Sequence, residues 1–170
     1  MMVRATRIRS SSLADLFTMV AETGSRTLVV DVEPLILHWS EPDSRFRSRA
    51  AAFVELVGAE SPSIHRIVFA SNSRRVLPRV ADGHTGRVTV VSQAGKPWRL
   101  DLVAGLPRPV TVIGDQPGTD GVLAWRLGGG FHQWVHRGTQ PWWPRTQMRL
   151  GSAFAPIIFR PHRPGGSAER

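Results

Sequence analysis

Two acidic motifs, each placed where an apolar run ends, carry most of the chemistry open to this chain. Asp31-Val32-Glu33 closes the run at residues 27–31 (TLVVD), and Gly114-Asp115-Gln116-Pro117-Gly118-Thr119-Asp120 follows the run at 110–113 (VTVI). Carboxylates at i and i+2, where a chain leaves a strand, can reach one site, so that one attacks as a nucleophile while the other moves protons. Hard oxygen ligands on a glycine-containing loop suit Mg2+, which keeps several waters and takes few carboxylates. The plainer alternatives are a solvated strand end for the first motif, and a turn with a helix cap at Thr119 or Asp120 for the second. Four strand-end acids in a basic protein repel one another without a cation, which weighs against the plainer reading.

Two further residues sit between these motifs. Ser71 follows the run at 65–70 (HRIVFA), where its hydroxyl and nearby backbone N–H groups can hold phosphate oxygens at a helix start, or simply cap the helix. Lys96 is the one lysine among 22 basic residues. An ammonium is a compact point charge and a guanidinium a wide planar fork, so a chain that otherwise uses arginine has a use for the smaller shape here, unless coding bias left one survivor. Pro97 beside it can begin a helix and hold the ammonium near the sheet edge. There it can neutralise a nucleophilic aspartate and a bound phosphoryl group together.

The elements that must position these residues follow from pattern. Ser12 with Asp15 resembles a capping box. Leu13, Leu16, Phe17 and Val20 then share a helical face that ends at Gly24. Residues 43–57 read as a second helix with Phe46, Ala50, Phe53, Val54 and Val57 inward. Five strands are expected, at 27–31, 65–70, 87–91 (RVTVV), 110–113 and 131–135, with a short helix after the second that Pro78 interrupts. Another helix is expected at 120–127. Strands alternating with helices imply βαβ units, a parallel sheet and ligands beyond the carboxyl ends of its strands.

A chain of 170 residues has room for one well-buried domain. No apolar run approaches the roughly 18 residues of a membrane span, and no apolar signal core follows the basic N-terminus, so a cytoplasmic protein is expected. Without cysteine there is no disulfide, no thiolate metal site and no cysteine nucleophile. A net charge of +9 favours anionic partners: nucleic acid, acidic lipid or a phosphorylated substrate.

The order of these motifs resembles the haloacid dehalogenase (HAD) superfamily of phosphotransferases, whose pattern runs Asp-x-Asp-x-Thr, Ser or Thr, Lys, and a paired acid. It is most similar to the subclass III branch that includes the YqeG proteins and the mitochondrial phosphatidylglycerophosphate phosphatases. The residues that carry the resemblance are DVEPLI with Trp39 after it, Ser71-Asn72-Ser73, Lys96-Pro97, and GDQPGTD continuing to Arg126-Leu127-Gly128. It implies a Rossmann-like HAD fold without a large cap domain, an Mg2+ cofactor and a phosphomonoester substrate, with a phosphatidylglycerophosphate-like lipid as a candidate. It further implies Asp31 as nucleophile, Glu33 as acid/base with its backbone carbonyl on Mg2+, Ser71 on the phosphoryl oxygens and Lys96 steadying charge. Asp115 would hold Mg2+ directly and Asp120 would support it. The chain departs from the pattern at Glu33, where the branch has aspartate, and at Pro34-Leu35, where it has Asn-Thr.

The domain expected at 27–160 is preceded by a basic arm and helix at 1–26 and followed by a disordered tail at 161–170. Near its end Trp134, Trp142 and Trp143 lie among Arg137, Arg145 and Arg149. Aromatics with cations suit a lipid headgroup layer or stacking on RNA, and equally suit covering the last strand. His132 and His136 are spaced for a metal pair on a helix but fall on an expected strand. A second function class is therefore a catalytically weakened domain that binds RNA or a ribonucleoprotein through arginine.

Overall fold

The computed structural model describes residues 5–80, 86–101, 104–136 and 142–161. Its strands are β1 (Ala5–Ser10), β2 (Thr27–Asp31), β3 (Arg66–Ala70), β4 (Val88–Val91), β5 (Val110–Gly114), β6 (Gly130–Trp134) and β7 (Phe159–Pro161). The helices are α1 (Leu13–Thr23), α2 (Phe46–Glu60), α3 (Val122–Arg126) and α4 (Trp142–Ile158). The strands form one sheet in the order β4-β3-β2-β5-β6-β1-β7, and every pairing is parallel. This is a Rossmann-like α/β domain, as expected.

Parallel strands need helices on both faces, and the central strands are apolar throughout for that reason. Successive side chains on β2 point to opposite faces. Leu28 and Val30 join Leu16 and Val20 of α1 and Phe46, Phe53 and Val57 of α2 in one core layer. Phe69 of β3 meets Phe46 and Phe53 edge-on, at centroid distances of 5.6 and 6.1 Å. Val29 points the other way, into a second layer with Val112, Leu123, Phe131, Ala155 and Phe159. Each of the two layers belongs to one face, so the sheet is covered on both.

Local signals held in part. Gly24 ends α1 in the left-handed region at φ 59°, where a side chain is strained and glycine is not. Ser12 precedes α1 but makes no side-chain cap bond; its own N–H donates to Ser10 Oγ instead (3.0 Å), so the expected capping box does not form. A 3-10 turn at Asp43–Arg45 leads into α2, which runs to Glu60. Among the described residues no helix follows β3: residues 71–80 are irregular, tied by Ser73 N–H to Ser71 Oγ and Leu77 N–H to Ser92 Oγ. Pro97 likewise begins only a turn, closed by Trp98 and Arg99 N–H on the Gly95 carbonyl.

Three elements extend the expected sheet and its cover. Residues 5–10, read as part of a basic arm, form β1, which pairs with β6 in the register Arg7↔Phe131. β7 then adds to the outer edge of β1, so Pro161, expected in a disordered tail, ends a strand. α4 packs against the turn at Pro117–Gly121. Residues 162–170 lie outside the described residues.

The order of the strands locates a crevice. From β2 the chain steps outward to β3 and β4, then returns to the other side of β2 as β5. The connections that leave the carboxyl ends of β2 and β5 therefore diverge, and ligands bind at such switch points. Asp31 ends β2 and Asp115 follows β5.

Candidate functional site

Three aspartates and the lone lysine meet at this crevice. Asp31, Asp115 and Asp120 each offer a carboxylate oxygen, and these oxygens all lie within 4.8 Å of one another. Lys96 Nζ lies 2.8 Å from Asp31 Oδ1 and 2.8 Å from Asp120 Oδ1. All four residues are buried. Asp120 Oδ2 accepts a further bond from Gln116 N–H at 3.2 Å. Asp115 differs: neither of its carboxylate oxygens has a hydrogen-bond partner among the described residues.

Small residues and amide side chains build this arrangement. A Cβ at Gly114 would collide with the Asp120 carboxylate, so glycine at the end of β5 lets Asp120 fold back over the strand. Backbone N–H groups of Asp120 and Gly121 converge on the Gln116 carbonyl, winding the motif into one tight turn. Gly118 in that turn meets Gly151 of α4, where a Cβ would lie 2.5 Å from the Gly118 nitrogen. Gln133 of β6 donates to the Asp115 carbonyl at 3.1 Å, and Arg7 of β1 in turn donates to Gln133.

Burial governs the electrostatics. It pushes the Asp115 carboxyl up to about 8, with the nearby Asp120 adding to the rise and Lys96 opposing it. Asp31 is also held well above the ordinary carboxylate range, first by burial and then by Asp120, against the pull of Lys96. For Lys96 burial acts to lower the pKa, but the carboxylates of Asp120 and Asp31 outweigh it and hold the ammonium above its ordinary value. Three acids with one ammonium are two negative charges in excess when all are ionised, a charge set that one divalent cation neutralises. The unpartnered oxygens of Asp115 fit a hard cation such as Mg2+.

Glu33 faces a different set of groups. Its Oε2 accepts from Ser71 Oγ at 2.8 Å; its Oε1 accepts from Ser73 Oγ at 3.0 Å and lies 3.4 Å from Arg75 Nε. The two serine hydroxyls are also 2.8 Å apart. The carboxylate thus turns into the protein, and its side chain is not one of the three carboxylates of the aspartate cluster. Ser71, expected to face a phosphoryl group, is in contact with Glu33. Arg75 and Ser73 are residues that sequence reasoning missed. Ser73 stands in the serine turn with no role assigned to it by sequence, and Arg75 follows that turn in a chain where arginine is too frequent to stand out.

The remaining expected residues are dispersed. His132 is buried against the α1 side, with Nε2 3.4 Å from Ser10 Oγ, and does not pair with His136. His136 packs with His38 and Trp39, at centroid distances of 5.5 and 5.7 Å. Trp134 is partly buried against the first core layer. Arg149 is exposed on α4, whereas Arg137 and the side chains of Trp142, Trp143 and Arg145 lie outside the described residues. Among the described residues, no helix is long and apolar enough to cross a membrane.

Fold and site together define a class: a parallel α/β domain with a buried aspartate-lysine cluster at its switch point. No family model, no curated protein and no solved structure matches the chain.

Proposed function

We propose that the domain is an Mg2+-dependent phosphomonoester hydrolase of the haloacid dehalogenase type, working through an aspartyl-phosphate on Asp31. The observation that carries this reading is the Asp31 carboxylate, 2.8 Å from the Lys96 ammonium and within 4.8 Å of the unpartnered Asp115 carboxylate. Asp31, Asp115 and, in support, Asp120 would hold Mg2+, which supplies charge neutralisation for the phosphoryl oxygens. An Asp31 oxygen attacks phosphorus, the bond to the leaving oxygen breaks, and that oxygen takes a proton that Glu33 has first picked up from solvent on leaving its serine and Arg75 partners. Water, losing a proton to Glu33, then attacks the aspartyl-phosphate and releases inorganic phosphate and free Asp31. Lys96 offsets negative charge on Asp31 throughout.

Substrate class follows from the surroundings. Only a loop at residues 32–42, the 3-10 turn and α2 lie between β2 and β3, so no inserted domain covers the crevice from there, and a large or surface-presented phosphate can enter. Arg45, Arg47 and Arg49 are exposed at the start of α2, with Arg45 and Arg49 paired to Glu41, and Arg74 and Arg79 are exposed on the loop after β3. A basic rim raises the local concentration of anions. A phosphatidylglycerophosphate-like lipid is consistent with both features.

The test is hydrolysis of p-nitrophenyl phosphate with and without Mg2+, followed by the same assay on a lipid phosphate. Wild type is expected to turn over only with Mg2+, and Asp31→Asn to fall to background. Equal rates for the two proteins on both substrates would exclude the mechanism. Asp115→Asn is expected to remove Mg2+-dependent thermal stabilisation, a readout independent of turnover.

A second reading draws on the engagement of Glu33 by Ser71, Ser73 and Arg75, which holds its carboxylate out of the aspartate cluster. In it the domain is catalytically weakened and binds RNA through its exposed arginines. RNA affinity would then fall steeply with salt and would not respond to Asp31→Asn.

A further inference from the structure

The groups around Glu33 are those that recognise an oxyanion: two hydroxyl donors and one guanidinium, converging on a carboxylate. Ser71 leaves the end of β3, and Ala70 before it is in register with Asp31, so this donor set lies beside the aspartate cluster. Ser71 and Glu33 are buried, and Arg75 is only 18% exposed. Arg75 is also fixed independently of Glu33. Its Nη1 donates to Asp43 Oδ1 and to the Glu41 carbonyl, each at 2.8 Å, and its Nη2 donates to the Trp39 carbonyl. The Nε edge is therefore already aimed at the position that Glu33 fills. Aspartate at residue 33 would be one methylene shorter, roughly 1.5 Å less reach.

We propose that Ser71, Ser73 and Arg75 form the phosphoryl-oxygen site of this domain and that the Glu33 carboxylate occupies it as a built-in competitor. A phosphomonoester enters by displacing Glu33 from its three donors. An intramolecular group competes at high effective concentration, so anion affinity in the resting protein is low. The identity of the anion as a phosphoryl group rests on the reaction proposed above; the occupancy of the donor set by Glu33 does not.

The experiment measures binding of inorganic phosphate by calorimetry without divalent cation, so its outcome is separable from any failure of Mg2+-dependent hydrolysis. Glu33→Ala is expected to raise phosphate affinity by on the order of tenfold, the competitor having been removed. Glu33→Gln, which keeps the shape and removes the charge, is expected to raise it by a smaller factor and covers the case in which alanine does not fold. Adding Arg75→Met to either variant is expected to abolish the gain. Unchanged affinity in every folded Glu33 variant overturns the proposal, as does a gain that survives loss of Arg75. Glu33→Asp is expected to bind phosphate more tightly than wild type; affinity below wild type would also count against a competing carboxylate.

Discussion

Asn72 and Lys96 are joined by a reciprocal pair of hydrogen bonds: Asn72 Nδ2 donates to the Lys96 carbonyl and Lys96 N–H donates to Asn72 Oδ1, both at 2.9 Å. One side-chain amide thus ties the loop after β3 to the loop after β4. It fixes the backbone from which the Lys96 side chain reaches Asp31 and Asp120.

Removing that tie should loosen the lysine without touching any charge. Asn72→Ala is expected to cost about 1–3 kcal/mol in urea unfolding, since two backbone groups lose partners. Turnover of p-nitrophenyl phosphate is expected to fall by on the order of 10²-fold through misplacement of the ammonium. Unchanged stability and turnover would show that Lys96 is positioned by its carboxylate partners alone.

Lys96 itself is the sharper probe. Its side chain is 1% exposed between two carboxylates, a space that suits an ammonium and crowds a planar guanidinium. Lys96→Arg is expected to keep the charge and still lose most phosphate-dependent activity. Lys96→Met leaves two buried acids unpaired and is expected to cost about 3–5 kcal/mol, read by urea unfolding. An arginine variant with wild-type turnover would mean that charge, and not shape, is what this position needs.

Much of this site was legible because it lies where apolar runs stop. β2 to β6 read as continuous or alternating runs, and a parallel order sends their carboxyl ends to one edge, so Asp31, Ser71, Lys96 and Asp115 could be placed together before any geometry was known. The partner of Glu33 could not. Which donors meet a carboxylate depends on how the irregular segment 71–80 folds back, and its sequence carries no period. β1 (ATRIRS) was obscured by arginines at strand positions, since only Ala5 of the six is buried. α4 holds Pro156 and Gly151, poor helix formers, and its packing on the turn at Pro117–Gly121 overrides that local weakness.

That packing makes a substitution whose sign inverts the usual rule. Replacing a glycine inside a helix by alanine ordinarily stabilises it by about 1 kcal/mol. At Gly151 the added methyl would meet the Gly118 backbone at 2.5 Å, so Gly151→Ala is expected to destabilise by about 1–3 kcal/mol. Displacing the Gly118 turn should also weaken Mg2+-dependent thermal stabilisation. A rise in melting temperature would mean that α4 does not brace the turn at Pro117–Gly121.

His132 predicts an acid limb of stability. Burial lowers its pKa to about 4, with Asp15 opposing, while an unfolded histidine titrates near 6.5. Between those values the unfolded chain binds a proton that the folded chain refuses, so stability is full above about pH 6.5 and falls as the pH drops towards 4. The loss amounts to about 3 kcal/mol. Asp31 and Asp115, with raised values, act in the opposite sense, since the stability from their bound protons is lost as the pH rises. Urea unfolding at about pH 7.5 and pH 5, wild type against His132→Leu, isolates the histidine. Parallel slopes in the two proteins would contradict its buried neutral state.

The register Arg7↔Phe131 sets a timetable as well as a contact. β1 is made first and finds its partner roughly 120 residues later, so a nascent chain must carry that strand unpaired until β6 has been synthesised. β2 pairs early with β3 but waits for β5 on its other edge. The crevice is consequently a late product of folding, and chains that stop before β5 have no Asp115 to set beside Asp31.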